Sequence, residues 1–478
     1  MAYELPLSPG TWSKRSSKIK PPTKLDLGRE YQAVPIDQYA DRWIFLNTTY
    51  WDFGDTSGTE RERNPLKHSA IAQPISGQGY HPSPDRPLGH PLAHYSAVEN
   101  LLIDYFIRGI APFCSLSQNY NPYLSLVTPL ALNIQQPHEP LRNILLAIAA
   151  NQLRLQGDCR YERAAYIYKQ KALHGLQNEI YDKKPSPGAV ATITDGCTPS
   201  WTTHLRGGLQ LMALLPQQSC ESQILKKFFV LYFVAHDIMG RTGVEDPSTV
   251  ERVDNSWLED DDLEEIDVLM GCSRGLMTVI NKISELATER SKIMKTRQLT
   301  SSESSTFNAA RDDIEHTLQY LPQKLPPYAH HQSQYLAEVA DLKRLAALLY
   351  LRERLGNPNV RTQPNPSLNR NQIAPGPVEI SPAPCKTHLV KMIIDKIRKL
   401  PDSPTLLWPL YLVGNVGLDD EEHRRFVLDR LAGIQKIRNL GSVRRARMVV
   451  EYAYRAKDID YPRGKVWGDD GPGIISLA

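Results

Sequence analysis

The chain has 478 residues, of which 41% are hydrophobic and 23% charged, ordinary globular usage that permits a sizeable core. Its 36 prolines outnumber its 28 glycines, which favours proline-rich links between helices over a glycine-rich α/β enzyme. A formal net charge of +3 is too small to make the whole chain a polyanion binder, and the six cysteines form no C-x-x-C pair of the kind a local zinc site uses.

Residues 1–30 carry Lys14, Arg15, Lys18, Lys20, Lys24 and Arg29 against Glu4, Asp26 and Glu30, an excess equal to that of the whole chain. Such a tail reads as a solvated terminus, or as one that touches phosphate or serves nuclear import. Met1 to Pro21 lacks the apolar segment of a secretory signal. An aromatic patch at 38–53 is followed by residues 54–93, where Pro65, Pro74, Pro82, Pro84, Pro87 and Pro91 break any regular element. Residues 1–93 are therefore expected to be a basic, proline-rich, largely disordered tail.

From His94 the pattern turns helical. Ser96–Gly109 places Val98, Leu101, Leu102, Tyr105 and Phe106 at helical spacing behind a Ser96/Glu99 capping box. Leu141–Leu155 starts after Pro140 and stops at Gly157, and Cys159–Tyr181 follows. Further helices are predicted at Ile224–Met239, Ser273–Arg297, Thr306–Tyr320, Tyr335–Leu355, Cys385–Leu400, Asp419–Asn439 and Val443–Lys457. No run shows the period-2 alternation of a strand. The expected fold class is all-α, an irregular multi-helix array spanning 94–462, with a proline-rich loop at 356–384 and a flexible C-terminus at 463–478. The longest apolar stretches, Leu141–Ala150 and Phe228–Ala235, are too short for a membrane span. The expectation is a soluble intracellular protein with reduced thiols.

One motif invites catalysis. Gly271-Cys272-Ser273-Arg274-Gly275 fits G-x-S-x-G, which in α/β-hydrolases exposes a serine on a strand-to-helix elbow beside a histidine base. No β-α alternation surrounds it, and the downstream histidines His316, His330, His331, His388 and His423 lie in helices or polar loops. Ser273 reads better as a helix N-cap. The acidic run Asp260, Asp261, Asp262, Glu264 and Glu265 reads as favourable charge near a helix start, not as an acid–base pair or cation site. No catalytic, cofactor-binding or metal residue is assigned, and no cofactor is expected.

Several segments resist a generic reading: Asn121-Pro122-Tyr123, Leu141–Ala150, the stretch from Asp195-Gly196-Cys197 through Trp201, His204 and Leu205 to Gly207-Gly208, Gly271-Cys272-Ser273, and Leu407-Trp408-Pro409-Leu410 with Gly414. In this order, from about Leu92 to Lys457, they resemble the fungal-specific transcription factor domain of the second type. That domain usually follows an amino-terminal two-zinc, six-cysteine cluster. The resemblance implies a helical domain that modulates activity or mediates interaction and receives an effector, not an enzyme. Trp201 and His204 are read as core and capping residues, with Trp201, Leu205 and Leu209 on one face.

Two departures accompany the resemblance. No C-x-x-C-x-x-x-x-x-x-C pattern occurs in the chain, so the residues that make base contacts in that family are missing from it. Only GAVATIT stands between Pro187 and Asp195, where relatives carry a substantial apolar helix. It is expected to be too short to bury a helical face, as though a piece of coding sequence had been lost. The leading expectation is a nuclear transcription regulator acting through the transcription machinery, a zinc-cluster paralogue or a second copy of itself, with DNA reached indirectly and no membrane contact. The alternative is a cytosolic or nuclear adaptor that binds a protein or small-molecule effector; a serine hydrolase at Gly271–Gly275 is the third.

Overall fold

The computed structural model describes residues 95–117, 120–133, 138–182, 188–190, 201–213, 220–244, 263–327, 333–356, 386–416, 418–458 and 477. The tail 1–93, the Asp195–Ser200 turn, the acidic residues Asp260–Asp262, His330, His331 and nearly all of the 356–384 loop lie outside these, as do the side chains of Trp201 and His204.

Helix α1 (Ala97–Tyr105) opens on the expected capping box. Ser96 Oγ accepts from Glu99 N–H at 3.3 Å, and Glu99 Oε2 accepts from Ser96 N–H at 2.9 Å, satisfying two of the donors a helix start leaves over. The chain then tightens and loosens through a π turn (Phe106–Ile110) and a 3₁₀ turn (Ala111–Cys114). Asn121 pins the next segment: its Nδ2 donates to Ala111 O at 2.8 Å and its Oδ1 accepts from Tyr123 N–H at 3.0 Å. A second π turn (Tyr123–Val127) runs into α2 (Thr128–Leu132). The sequence pattern did not reveal this stretch as helical because Pro122 and Pro129 interrupt it. Pro129 stands at the start of α2, where no intrahelical N–H bond is required.

Helices α3 (Glu139–Leu155) and α4 (Glu162–Tyr181) pack side by side, joined by a turn in which Gly157 takes a φ of 103°. Residues 188–190 are helical, and Ala189 and Val190 are fully buried. Of the GAVATIT segment only Gly188–Val190 lie among the described residues, and Ala189 and Val190 pack into the first core. Gly188 lies against the His138 ring, where a Cβ would come within 2.3 Å of Cγ. Next come α5 (Trp201–Ala213) and α6 (Cys220–Thr242), with Gly208 of α5 closely packed on the Phe233 ring of α6.

Two short strands, β1 (Ile266–Asp267) and β2 (Cys272–Ser273), pair antiparallel and lead into α7 (Arg274–Thr296). Helix α8 (Ser301–Tyr320) begins five residues before the expected start, because Thr300 and Glu303 form a capping box ahead of the apolar pattern. Helices α9 (Ser333–Leu355), α10 (Lys386–Lys399), α11 (Leu407–Asn415), α12 (Glu421–Ile437) and α13 (Gly441–Asp458) complete the described residues. The architecture is all-α with a minimal hairpin.

Buried side chains form two main cores. The first draws on α1 to α5 and on Phe228, Phe229 and Phe233 of α6. The second draws on Leu231, Val234, Ala235, Ile238 and Met239 of α6 together with α7 to α13. Helix α6 therefore serves both, and from Phe228 onward none of its residues is exposed, as suits a stretch packed between two cores. Hydrogen bonds that cross from the first group of elements to the second include Leu116 N–H to Val268 O at 2.8 Å, Asn439 Nδ2 to Leu155 O at 3.2 Å, and Arg438 Nη1 to Cys114 Sγ at 3.1 Å.

Candidate functional site

A cavity of about 200 Å³ opens where α6 passes between the two cores. Phe106, Ile110, Val127, Ile144, Leu145 and Ile148 wall it from the first core. Leu231, Tyr232, Ala235, His236 and Met239 line it along α6, and Met270, Lys343, Thr405, Arg438 and Ser442 complete it from the second. The lining is mostly apolar with few polar groups, the usual make-up of a small-molecule site. Its charged lining residues are Lys343 and Arg438; no carboxylate lines it among the described residues.

Lys343 sits on the apolar face of α9. Its helical neighbours three and four residues away are Val339, Ala340, Ala346 and Ala347, all buried, and Lys343 itself is 2% exposed. Its ammonium donates one hydrogen bond, to Met270 O, and joins no ion pair among the described residues. Burial pushes its pKa below the usual lysine value; the fields of Cys272 and Asp267 oppose that shift. Asp267 is engaged elsewhere, its Oδ1 accepting from Leu269 N–H at 2.8 Å and Met270 N–H at 3.1 Å, and burial raises its pKa. The Cys272 thiol is pushed up to about 11 by burial.

His236 is half-buried along the cavity wall. Its Nδ1 contacts Tyr232 O at 2.8 Å and its ring lies 3.9 Å from the Tyr232 ring. Burial lowers its pKa to about 4, with the Lys343 charge adding to the shift, so the imidazole is neutral at neutral pH. Thr405 Oγ1 is buried in the wall and has no hydrogen-bond partner among the described residues.

The β1–β2 turn shapes the corner between Lys343 and Thr405. Asp267 O accepts from Gly271 N–H at 2.8 Å, and Gly271 has a φ of 64°, a left-handed conformation that costs glycine nothing. A Cβ there would meet Leu116 at 2.7 Å and Val339 at 2.8 Å, with Thr405 Oγ1 at 3.2 Å. The ammonium of Lys343 and the hydroxyl of Thr405 thus both stand against the Met270–Gly271 turn.

Ser273 has a different place. It is fully buried, and its Oγ accepts from Leu276 N–H at 3.2 Å as the N-cap of α7, while its own N–H donates to Gln323 Oε1 at 3.0 Å. A nucleophile elbow presents an exposed oxygen to a base. His316 and His388 are exposed on α8 and α10, and His423 lies in the first turn of α12. Of the acidic run, Glu264 pairs with Lys324 beyond α8 instead of with the start of α7. Among the described residues no cluster of His, Cys, Asp or Glu is placed to hold a metal, and no helix is long and apolar enough to cross a membrane.

Other singled-out segments have structural roles. The Trp408 indole N–H donates to Thr242 Oγ1 at 2.8 Å, and Tyr411 OH donates to Gly243 O at 3.1 Å, which anchors α11 to the end of α6. Gly414 lets α11 approach Val450 of α13, where a Cβ would come within 2.6 Å. Leu205 is buried and Leu209 half-buried on α5.

Sequence reasoning passed over Lys343, His236, Thr405 and Arg438. A signal for Lys343 was present, since a lysine flanked by Val339, Ala340, Ala346 and Ala347 falls on an apolar helical face. His236, inside FFVLYFVAHDIM, offered a similar one.

Fold and site define an all-α domain with a mostly apolar cavity where α6 passes between its two cores, and with the G-x-S-x-G serine used as a helix cap. The chain belongs to the family described as the fungal specific transcription factor domain, whose model matches residues 100–467. It is a transcription-regulator domain of that family. No curated protein and no solved structure matches the chain.

Proposed function

We propose that the chain is the regulatory and interaction domain of a nuclear transcription regulator. It acts through protein contacts with the transcription machinery, with a zinc-cluster paralogue or with a second copy of itself, and it meets DNA through such a partner. The observation that carries this reading is the family match over residues 100–467. Ser273, capping α7 from a buried position, supports a non-enzymatic role.

Fusing the full chain to a heterologous DNA-binding module upstream of a reporter tests the reading, alongside imaging and chromatin capture of the tagged chain. The expected result is a several-fold change in reporter output and nuclear, chromatin-associated signal. An unchanged reporter with uniformly cytoplasmic signal under all conditions overturns it in favour of an adaptor role.

A further inference from the structure

The cavity has a sign imbalance. Lys343 brings positive charge to its wall and makes no ion pair among the described residues, and no carboxylate lines the cavity among them. A buried ammonium without a carboxylate partner lacks the attraction that normally offsets its desolvation. In the same corner Thr405 Oγ1 is a buried hydroxyl with no partner among the described residues. Both stand against the Met270–Gly271 turn, Lys343 through its bond to Met270 O and Thr405 beside Gly271. Away from this corner the wall is aromatic and aliphatic, with Phe106, Ile144, Ile148, Leu231 and Tyr232.

We propose that this cavity binds a small amphipathic carboxylate, its anionic group held by Lys343 and Thr405 and its apolar body against the Phe106, Ile148 and Tyr232 walls. Size sets the class more narrowly. An apolar cavity of about 150 Å³ takes benzene, so the present one takes a body of about eight to ten non-hydrogen atoms. Medium-chain and monocyclic aromatic acids match this volume.

The inference names the ligand of the effector function implied by the regulatory reading, but binding is measured separately from it. Isothermal titration of the full chain with octanoate, octanol and octylamine, a series alike in size and different in charge, reads the preference directly. Octanoate binds at least about tenfold more tightly than octanol, and octylamine is the weakest. In Lys343→Met, which fills the same volume without a charge, octanoate weakens by about tenfold or more while octanol binds as before. Thr405→Val weakens octanoate by roughly threefold to fivefold. Ala235→Leu, which fills the cavity from α6, removes binding of octanoate and octanol alike.

Failure of octanoate to bind the wild-type chain overturns the proposal, as does equal octanoate affinity in wild type and Lys343→Met, or a preference for the amine. If Lys343→Met does not fold, shown by lost far-ultraviolet helicity, the charge series on wild type and Thr405→Val still decides. An unchanged reporter with uniformly cytoplasmic signal, combined with octanoate binding, would sink the regulatory reading and leave this one standing.

Discussion

His236 couples the cavity to pH through a single imidazole. Burial holds its folded-state pKa at about 4, against 6.5 for a freely solvated imidazole. Above pH 6.5 the ring is neutral in both states and contributes no pH dependence. As pH falls from 6.5 toward 4 the unfolded chain takes up a proton that the folded chain refuses, so stability is lost across that window and levels off below it. The full window is worth at most about 3 kcal/mol, and water reaching the accessible edge of the ring lessens it. His236→Phe keeps the stacking on Tyr232 and has no proton to gain. Urea unfolding midpoints should therefore fall less steeply for the variant than for wild type between pH 6.5 and 4. Equal slopes would show that the imidazole is solvated in the folded state. The same scale shows how a residue's meaning hides in a sequence. Ser273 was legible as a cap from its position before an apolar helix, whereas Thr405 was not legible at all, since its orphaned hydroxyl follows from a turn formed about 130 residues earlier in the chain.

At the scale of elements, the β1–β2 turn is the most exacting piece. Gly271 combines a left-handed φ with close approaches to Leu116 and Val339, so a methyl group meets both backbone strain and steric conflict. Gly271→Ala should lower unfolding free energy by about 2–4 kcal/mol in urea titration, more than an alanine substitution at a right-handed glycine costs. A loss under about 0.5 kcal/mol would mean that the turn relaxes without cost. Elements with strong periodicity were legible in order and nearly in extent: α3, α7, α9, α10, α12 and α13 fall within a few residues of their predicted bounds. The 3₁₀ turn and second π turn between Ala111 and Val127 were not, because they lack the 3.6-residue period and are held by the Asn121 side chain reaching back to Ala111. The paired strands were equally hidden, two residues each being too short to show alternation.

For the whole molecule, the fold class and the family were carried by the sequence itself, since helical periodicity and the ordered motifs both span most of the chain. The cavity was not, because it depends on which apolar faces meet, and periodicity says only that they are apolar. The helix shared by the two cores also has a practical consequence for dividing the protein. A cut in the segment 245–262 leaves α6 with the first piece, and with it Leu231, Val234, Ala235, Ile238 and Met239 lose their partners from α7 to α13. The second piece keeps its remaining helices but has no α6 to close the core. Neither fragment is expected to be soluble and helical alone, while co-expression of both should recover the helicity of the intact chain, read by circular dichroism and gel filtration. An independently folded amino-terminal fragment would contradict this. In bait design and deletion mapping, then, residues 95–458 behave as an indivisible unit, and activities lost on truncation within them report on folding before they report on function.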